Sequence, residues 1–166
     1  MTDPSVRRGR PRAAALPTAG EDTSATASQT AVAAAWSAAA LLTVVAAFHA
    51  AVAAGAPWGD VTQGGGTSGT LDASGRVVAG GSCVLTLVVA LAVLGRAGRG
   101  PLARRGRTTT VLAWVATVYA AVGVVLNLVT RSSSERTLWA PVSALLLLLV
   151  IVVMAQTRPR GTPRTG

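Results

Sequence analysis

The chain has 166 residues, of which 51% are hydrophobic and only 13% charged. A soluble domain usually has about a quarter charged residues, so this balance is wrong for one, and a separate catalytic domain has no room. The formal charge of +9 comes from 15 arginines, with no lysine, against six acids; the arginines flank apolar runs and aromatics are scarce, so a lipid bilayer accounts for the charge better than nucleic acid does.

Residues 1–30 are rich in Ser, Thr, Pro, Ala and Arg and have no apolar period, which predicts a disordered basic tail. Its "RRGRPR" (7–12) reads first as a topology anchor and second as a contact for anionic headgroups. Neither "VRRGR" nor "LPTAG" carries a targeting signal. The first lacks a following hydrophobic pair and lies too far from the apolar run, and the second departs from the sortase pattern and sits at the wrong end of the chain.

A bilayer-spanning helix needs about 20 mostly apolar residues. The stretch 31–54, "AVAAAWSAAALLTVVAAFHAAVAA", is the first that qualifies, although its thirteen alanines contribute little to insertion. Its core also has the length of a signal-peptide apolar region. The long preceding tail and the apolar residues after His49 favour a retained span. The Gly-rich segment "GAPWGDVTQGGGTSGTLDASGR" follows; it lacks the Gly-Lys-Ser/Thr of a phosphate loop and reads as a flexible surface connection.

The second span, about 77–94, contains Cys83, the sole cysteine. A disulfide framework, a Cys-x-x-Cys redox pair and a Cys-rich zinc site are thereby excluded within one chain, and Cys83 reads as a small packing residue. The third span covers about 108–129 and the fourth about 138–156, which holds eleven Leu, Ile and Val residues. None of the four contains Asp, Glu, Lys or Arg. Residues 157–166 form a short basic tail.

These features predict an all-α, polytopic membrane protein: four transmembrane helices in a compact antiparallel bundle. The positive-inside bias places both termini and the second loop in the cytoplasm, which puts twelve arginines inside and three (Arg76, Arg131 and Arg136) outside. Small residues at fourfold spacing, Ala46, Ala50 and Ala54 on the first span and Ala113, Thr117 and Ala121 on the third, are the expected helix–helix contacts. Trp58 and Trp139 fall near the outer interface and Trp36 and Trp114 near the inner one, as an aromatic belt requires. Tyr119, near mid-span, should turn its hydroxyl into the bundle for a partner.

Polar residues near the outer end supply the candidate site. If the third helix continues one turn past Val129, Asn127, Arg131 and Glu135 share a face and can meet His49, Trp58 and Trp139 in one outward-facing cluster. The plainer account is a solvated Arg131–Glu135 pair, an Asn127 bonded to a neighbouring helix, and a His49 close enough to water to need no task. A lone histidine without acidic or cysteine companions is a poor metal site. No span carries a carboxylate for proton relay, and no catalytic constellation is visible, so neither cofactor nor enzymatic activity is expected.

The segments "HAAVAAGAPWG" (49–59) and "LNLVTRSSSERTLWAPV" (126–142) resemble uncharacterised four-pass actinobacterial integral membrane proteins. The matching positions are His49, Pro57, Trp58, Gly59, Asn127, Arg131, Ser132, Glu135, Arg136, Trp139 and Pro141. The resemblance implies no activity. The sequence therefore reads as a plasma-membrane protein without catalysis, structural or bound to an unidentified membrane partner or a second copy of itself. The alternative is a protein that handles a small solute or lipid through the outer cluster.

Overall fold

A computed structural model describes residues 19–103 and 107–157; the tails 1–18 and 158–166, and with them most of the expected disordered segment, as well as Arg104 and Arg105, lie outside the described residues. The described chain is helical throughout, without strands: α1 (Ala19–Ala54), a 3-10 turn (Gly59–Val61), α2 (Ala73–Arg96), α3 (Arg107–Val129) and α4 (Ser133–Gln156). Each α-helix is long and apolar enough to cross a membrane.

The helices outrun the apolar runs, and at α2 and α4 a side-chain cap sets the start. Helix α1 starts at Ala19, within the stretch whose composition suggests an unstructured tail. Its apolar part is Gln29–Ala54, and the small and polar residues before it continue a helix already nucleated by the span. Helix α2 opens at Asp72, whose carboxylate accepts from the Gly75 N–H at 2.8 Å and from the Ser74 hydroxyl at 2.9 Å. Those two donors, the Gly75 N–H first, hold the Asp72 carboxyl below the usual carboxylate range. The cap's contribution is therefore present at neutral pH and is lost only as pH falls through that lowered value.

Helix α1 packs against α2 and α4, and α3 against the same two helices, closing a four-membered ring. The ends are fixed by bonds between neighbours. Arg76 Nε, at the start of α2, donates to the Ala53 carbonyl at the end of α1 (2.8 Å), and Arg96 Nη2, at the end of α2, donates to the Thr157 carbonyl beyond α4 (2.6 Å). Adjacent helices are thus antiparallel, with the end of α1 and the starts of α2 and α4 at one end of the bundle.

The inside is built from small residues and the outside from large ones. Ala35, Ala38, Leu42, Ala116, Val150 and Val153 are sealed in the main core, whereas Val77, Val84, Leu85, Trp114, Val118, Leu148 and Ile151 are exposed. Helices that are apolar all round and larger outside than inside match a lipid surround, in which close backbone approach rather than water exclusion drives packing. The buried stripes differ in detail from the fourfold spacing. Ala46 and Ala113 are buried, but Ala50 and Ala54 face outward and Thr117 and Ala121 sit at the margin; the true stripes are Ala35–Ala38–Leu42–Ala46 and Ala113–Ala116–Ala120. Steps of four drift by about 40° each around a helix, so alternating steps of three and four keep a buried face in place.

Hydroxyls inside the spans are satisfied locally. Thr43, Ser82, Thr86 and Thr117 each donate to the carbonyl four residues back, at 2.7–2.9 Å. The Tyr119 hydroxyl finds the Thr86 hydroxyl at 3.1 Å, tying α3 to α2.

The α1–α2 loop is not the flexible connection that its glycine content suggests. It folds over one end of the bundle as a cap. The Gly59 N–H donates to the Gly69 carbonyl (2.8 Å), Gln63 Nε2 to the Gly75 carbonyl (2.8 Å) and Thr70 Oγ1 to the Gly55 carbonyl (3.2 Å). From α4 and the turn before it, Trp139 Nε1 donates to the Val61 carbonyl (2.7 Å) and Ser132 Oγ to the Asp60 carbonyl (2.9 Å). The glycines give the chain turns that other residues cannot make, and side chains of the bundle satisfy the carbonyls exposed there.

Candidate functional site

Beneath the cap lies a partly open cavity of about 210 Å³ bounded by α1, α3, α4 and the loop. Leu42, Val45, Leu146 and Val142 make its apolar side; His49, Tyr119, Asn127, Glu135 and Ser143 make its polar side; Phe48 and Trp139 add aromatic walls, and Thr62 and Gln63 come down from the loop. Thr62 and Gln63 also line a second hollow of about 200 Å³, within the loop and the start of α2. These two residues therefore partition the bundle cavity from the loop hollow. Gln63 occupies that position with φ of 51°, in the left-handed region that is uncommon outside glycine.

Four of the six predicted site residues, His49, Asn127, Glu135 and Trp139, meet at this cavity. Trp58 is one layer out: it is exposed and stacks on Phe48, with ring centroids 5.6 Å apart. Phe48 in turn meets the Trp139 ring edge-on at 4.6 Å and the His49 ring at 5.6 Å. Arg131 is exposed and does not line the cavity.

The reason lies in the turn between α3 and α4. Helix α3 stops at Val129 instead of continuing through Arg131, and Ser132 caps α4 by accepting from the Glu135 N–H at 3.1 Å. Glu135 thus belongs to the first turn of α4 and not to an extension of α3, so the single-face alignment of Asn127, Arg131 and Glu135 does not form. Glu135 is only 8% exposed, and its carboxylate accepts from the Thr130 hydroxyl at 2.6 Å rather than pairing with Arg131 at the surface. A helix that is apolar enough to span a membrane therefore does carry a buried acid. The signal was the run Ser132-Ser-Ser-Glu135 before an apolar stretch, the Ser-x-x-Glu pattern of a capping box.

His49 has a sealed Nδ1 with no hydrogen-bond partner; among the described residues only Arg96 Nε, at the other end of the bundle, shares that condition. A buried nitrogen left without a partner is destabilising. Nothing in the sequence pointed to Thr62, Gln63 or Ser143 as cavity residues, because their roles depend on where the loop and the α4 turn place them.

No family model, no curated protein and no solved structure matches the chain. The functional reading therefore rests on the site. Among the described residues no group of three or more His, Cys, Asp or Glu side chains is placed to hold a metal ion. What the site offers is a partly open space with one acid, one imidazole, two amides (Gln63 and Asn127) and aromatic rings.

Proposed function

We propose that the chain is a multi-pass integral protein of the cell membrane, of the four-pass kind its two polar segments resemble. In this reading it binds a small solute, without chemical conversion, in the cavity at its outward end. Of the two readings open from the sequence, solute handling is favoured over a purely structural or partner-binding role by one observation: His49, Asn127, Glu135 and Trp139, contributed by three helices, line a single cavity under a folded cap. An engineered apolar cavity of about 150 Å³ accommodates benzene, so this space suits solutes of roughly six to ten non-hydrogen atoms.

The outward direction of the capped end is supported by charge. Twelve of the 15 arginines fall in the tails, in the α2–α3 loop and at the helix ends that flank it, at the opposite end of the threading. Both termini are then cytoplasmic. A protease-sensitive tag at either terminus should resist digestion in intact cells and be cut after permeabilisation; cleavage without permeabilisation overturns the orientation.

Binding is tested by thermal unfolding in detergent against a panel of charged and neutral solutes of that size. The expected result is a solute-dependent rise in Tm for the wild-type chain that is absent from the His49→Ala, Asn127→Ala double variant. A panel that leaves the wild-type Tm unmoved, or a shift that survives both substitutions, overturns the solute-binding reading.

A further inference from the structure

The cavity lining has one acid and no arginine beside it to answer its charge; His49 is the one imidazole there. Glu135 is buried, its carboxylate holds the Thr130 hydroxyl at 2.6 Å, and Arg131 and Arg136, its nearest cationic neighbours in sequence, are both exposed. A carboxylate can accept about four hydrogen bonds, and removing one from water without a countercharge is costly. The space beside it is lined by Phe48, Tyr119 and Trp139. Trp139 is held by its bond to the Val61 carbonyl and by its edge contact with Phe48, and Tyr119 by its hydroxyl contact with Thr86, so each ring has a partner apart from any solute. Aromatic faces attract cations, and more strongly once both are removed from water.

We propose that the solute is a small organic ammonium ion, with Glu135 as its countercharge and the rings of Phe48, Tyr119 and Trp139 around its apolar part. This rests on the reading of the cavity as a solute site. The volume admits a tetraalkylammonium head or a short-chain primary amine and is too small for a drug-sized cation. His49 and Asn127 lie on the same wall system as Glu135 and are available to a hydroxyl or carbonyl on the solute. An anion would meet the Glu135 carboxylate with no cation to offset it, and a neutral solute would leave that carboxylate without a countercharge.

The test is a charge comparison at constant shape on the full chain in detergent, by isothermal titration calorimetry. The probes are choline, its neutral carbon isostere neohexanol, and the tert-butylacetate anion, with pentylammonium and pentanol as the primary-amine pair. At least one cation should bind about tenfold or more tightly than its neutral partner, and the anion should not bind. Glu135→Gln keeps an acceptor for Thr130 and removes the charge, so it should erase the cation's advantage while leaving the neutral probe's affinity in place. Equal affinity for cation and neutral isostere, tighter binding of the anion, or an undiminished cation preference in Glu135→Gln overturns the ammonium proposal, while the solute-binding reading stands wherever any probe binds. Binding by none of the five probes overturns the ammonium proposal, and the wider solute panel then decides separately whether the cavity binds anything. If Glu135→Gln does not fold, the wild-type comparison decides the matter alone.

Discussion

Ala116→Leu should collapse the thermal stability of the bundle, whereas Val118→Leu, two residues away, should leave it nearly unchanged. Ala116 is 0% exposed and sits on the stripe that α3 turns toward the core, whereas Val118 is 59% exposed on the outward side of the same helix. Between apolar helices in lipid or detergent, association depends on how closely the backbones approach, since the surrounding acyl chains are as apolar as the side chains themselves. The isopropyl group that leucine adds at Ala116 has no space to enter, and overpacking of this kind costs about 1–3 kcal/mol before the helices separate. At Val118 the added methylene meets only solvent acyl chains, and an exposed substitution stays within roughly 0.5 kcal/mol. Detergent-solubilised protein, followed by heating and size-exclusion chromatography, separates the two. If both variants melt together, then the small-residue stripe does not hold the bundle and the inside-small, outside-large arrangement has another cause. Ala38, equally sealed on α1, provides an independent repeat of the same comparison.

The contrast shows which parts of this molecule were legible in its sequence. The four helices were, because an uninterrupted run of apolar residues without charge has few folded solutions in a bilayer. Tyr119 was also legible, since a mid-span hydroxyl must find a partner, and it finds Thr86. The stripe of contacts was legible only in kind: Ala-rich helices offer small residues on every side, so composition alone does not mark which of Ala46, Ala50 and Ala54 faces inward. The site was half legible. His49, Asn127, Glu135 and Trp139 were recognisable as polar or amphipathic residues at one end of the spans, but the geometry joining them depends on where one helix stops and the next begins. Three residues decide that. With Ser132 as cap, Thr130 and Arg131 become the turn, Glu135 rotates inward, and Arg131 rotates out. The cap over the cavity was the least legible part. Glycine-rich polar sequence reads as freedom, and only the partners supplied by distant residues, Trp139 for Val61 and Ser132 for Asp60, turn it into structure.

That dependence on the cap gives the second large effect. Gly59→Ala should release the loop from the bundle end and abolish solute binding. The Gly59 residue is buried in the 3-10 turn, and a methyl group built on it would overlap the Thr67 carbonyl oxygen and stand 2.8 Å from the Gly69 carbonyl oxygen. Both obstacles are backbone, so neither can move aside by a rotamer change, and the Gly59–Gly69 hydrogen bond that closes the loop breaks first. The bonds from Trp139 to Val61 and from Ser132 to Asp60 depend on the same turn being in place. At about 0.5–1.5 kcal/mol net for each, losing all three is worth about 1.5–4.5 kcal/mol, most of it local to the cap. Gly66→Ala is the matched control, since a methyl group there meets nothing within 4 Å. Hydrogen exchange across residues 55–72 should be fast in Gly59→Ala and slow in Gly66→Ala, with the spans protected in both. Loss of the cap also removes Thr62 and Gln63 from the cavity wall, so the solute-dependent Tm shift should vanish in the first variant and persist in the second. A Gly59→Ala chain that keeps both its slow loop exchange and its solute response would show that the folded loop is incidental, and that the cavity needs no roof to bind.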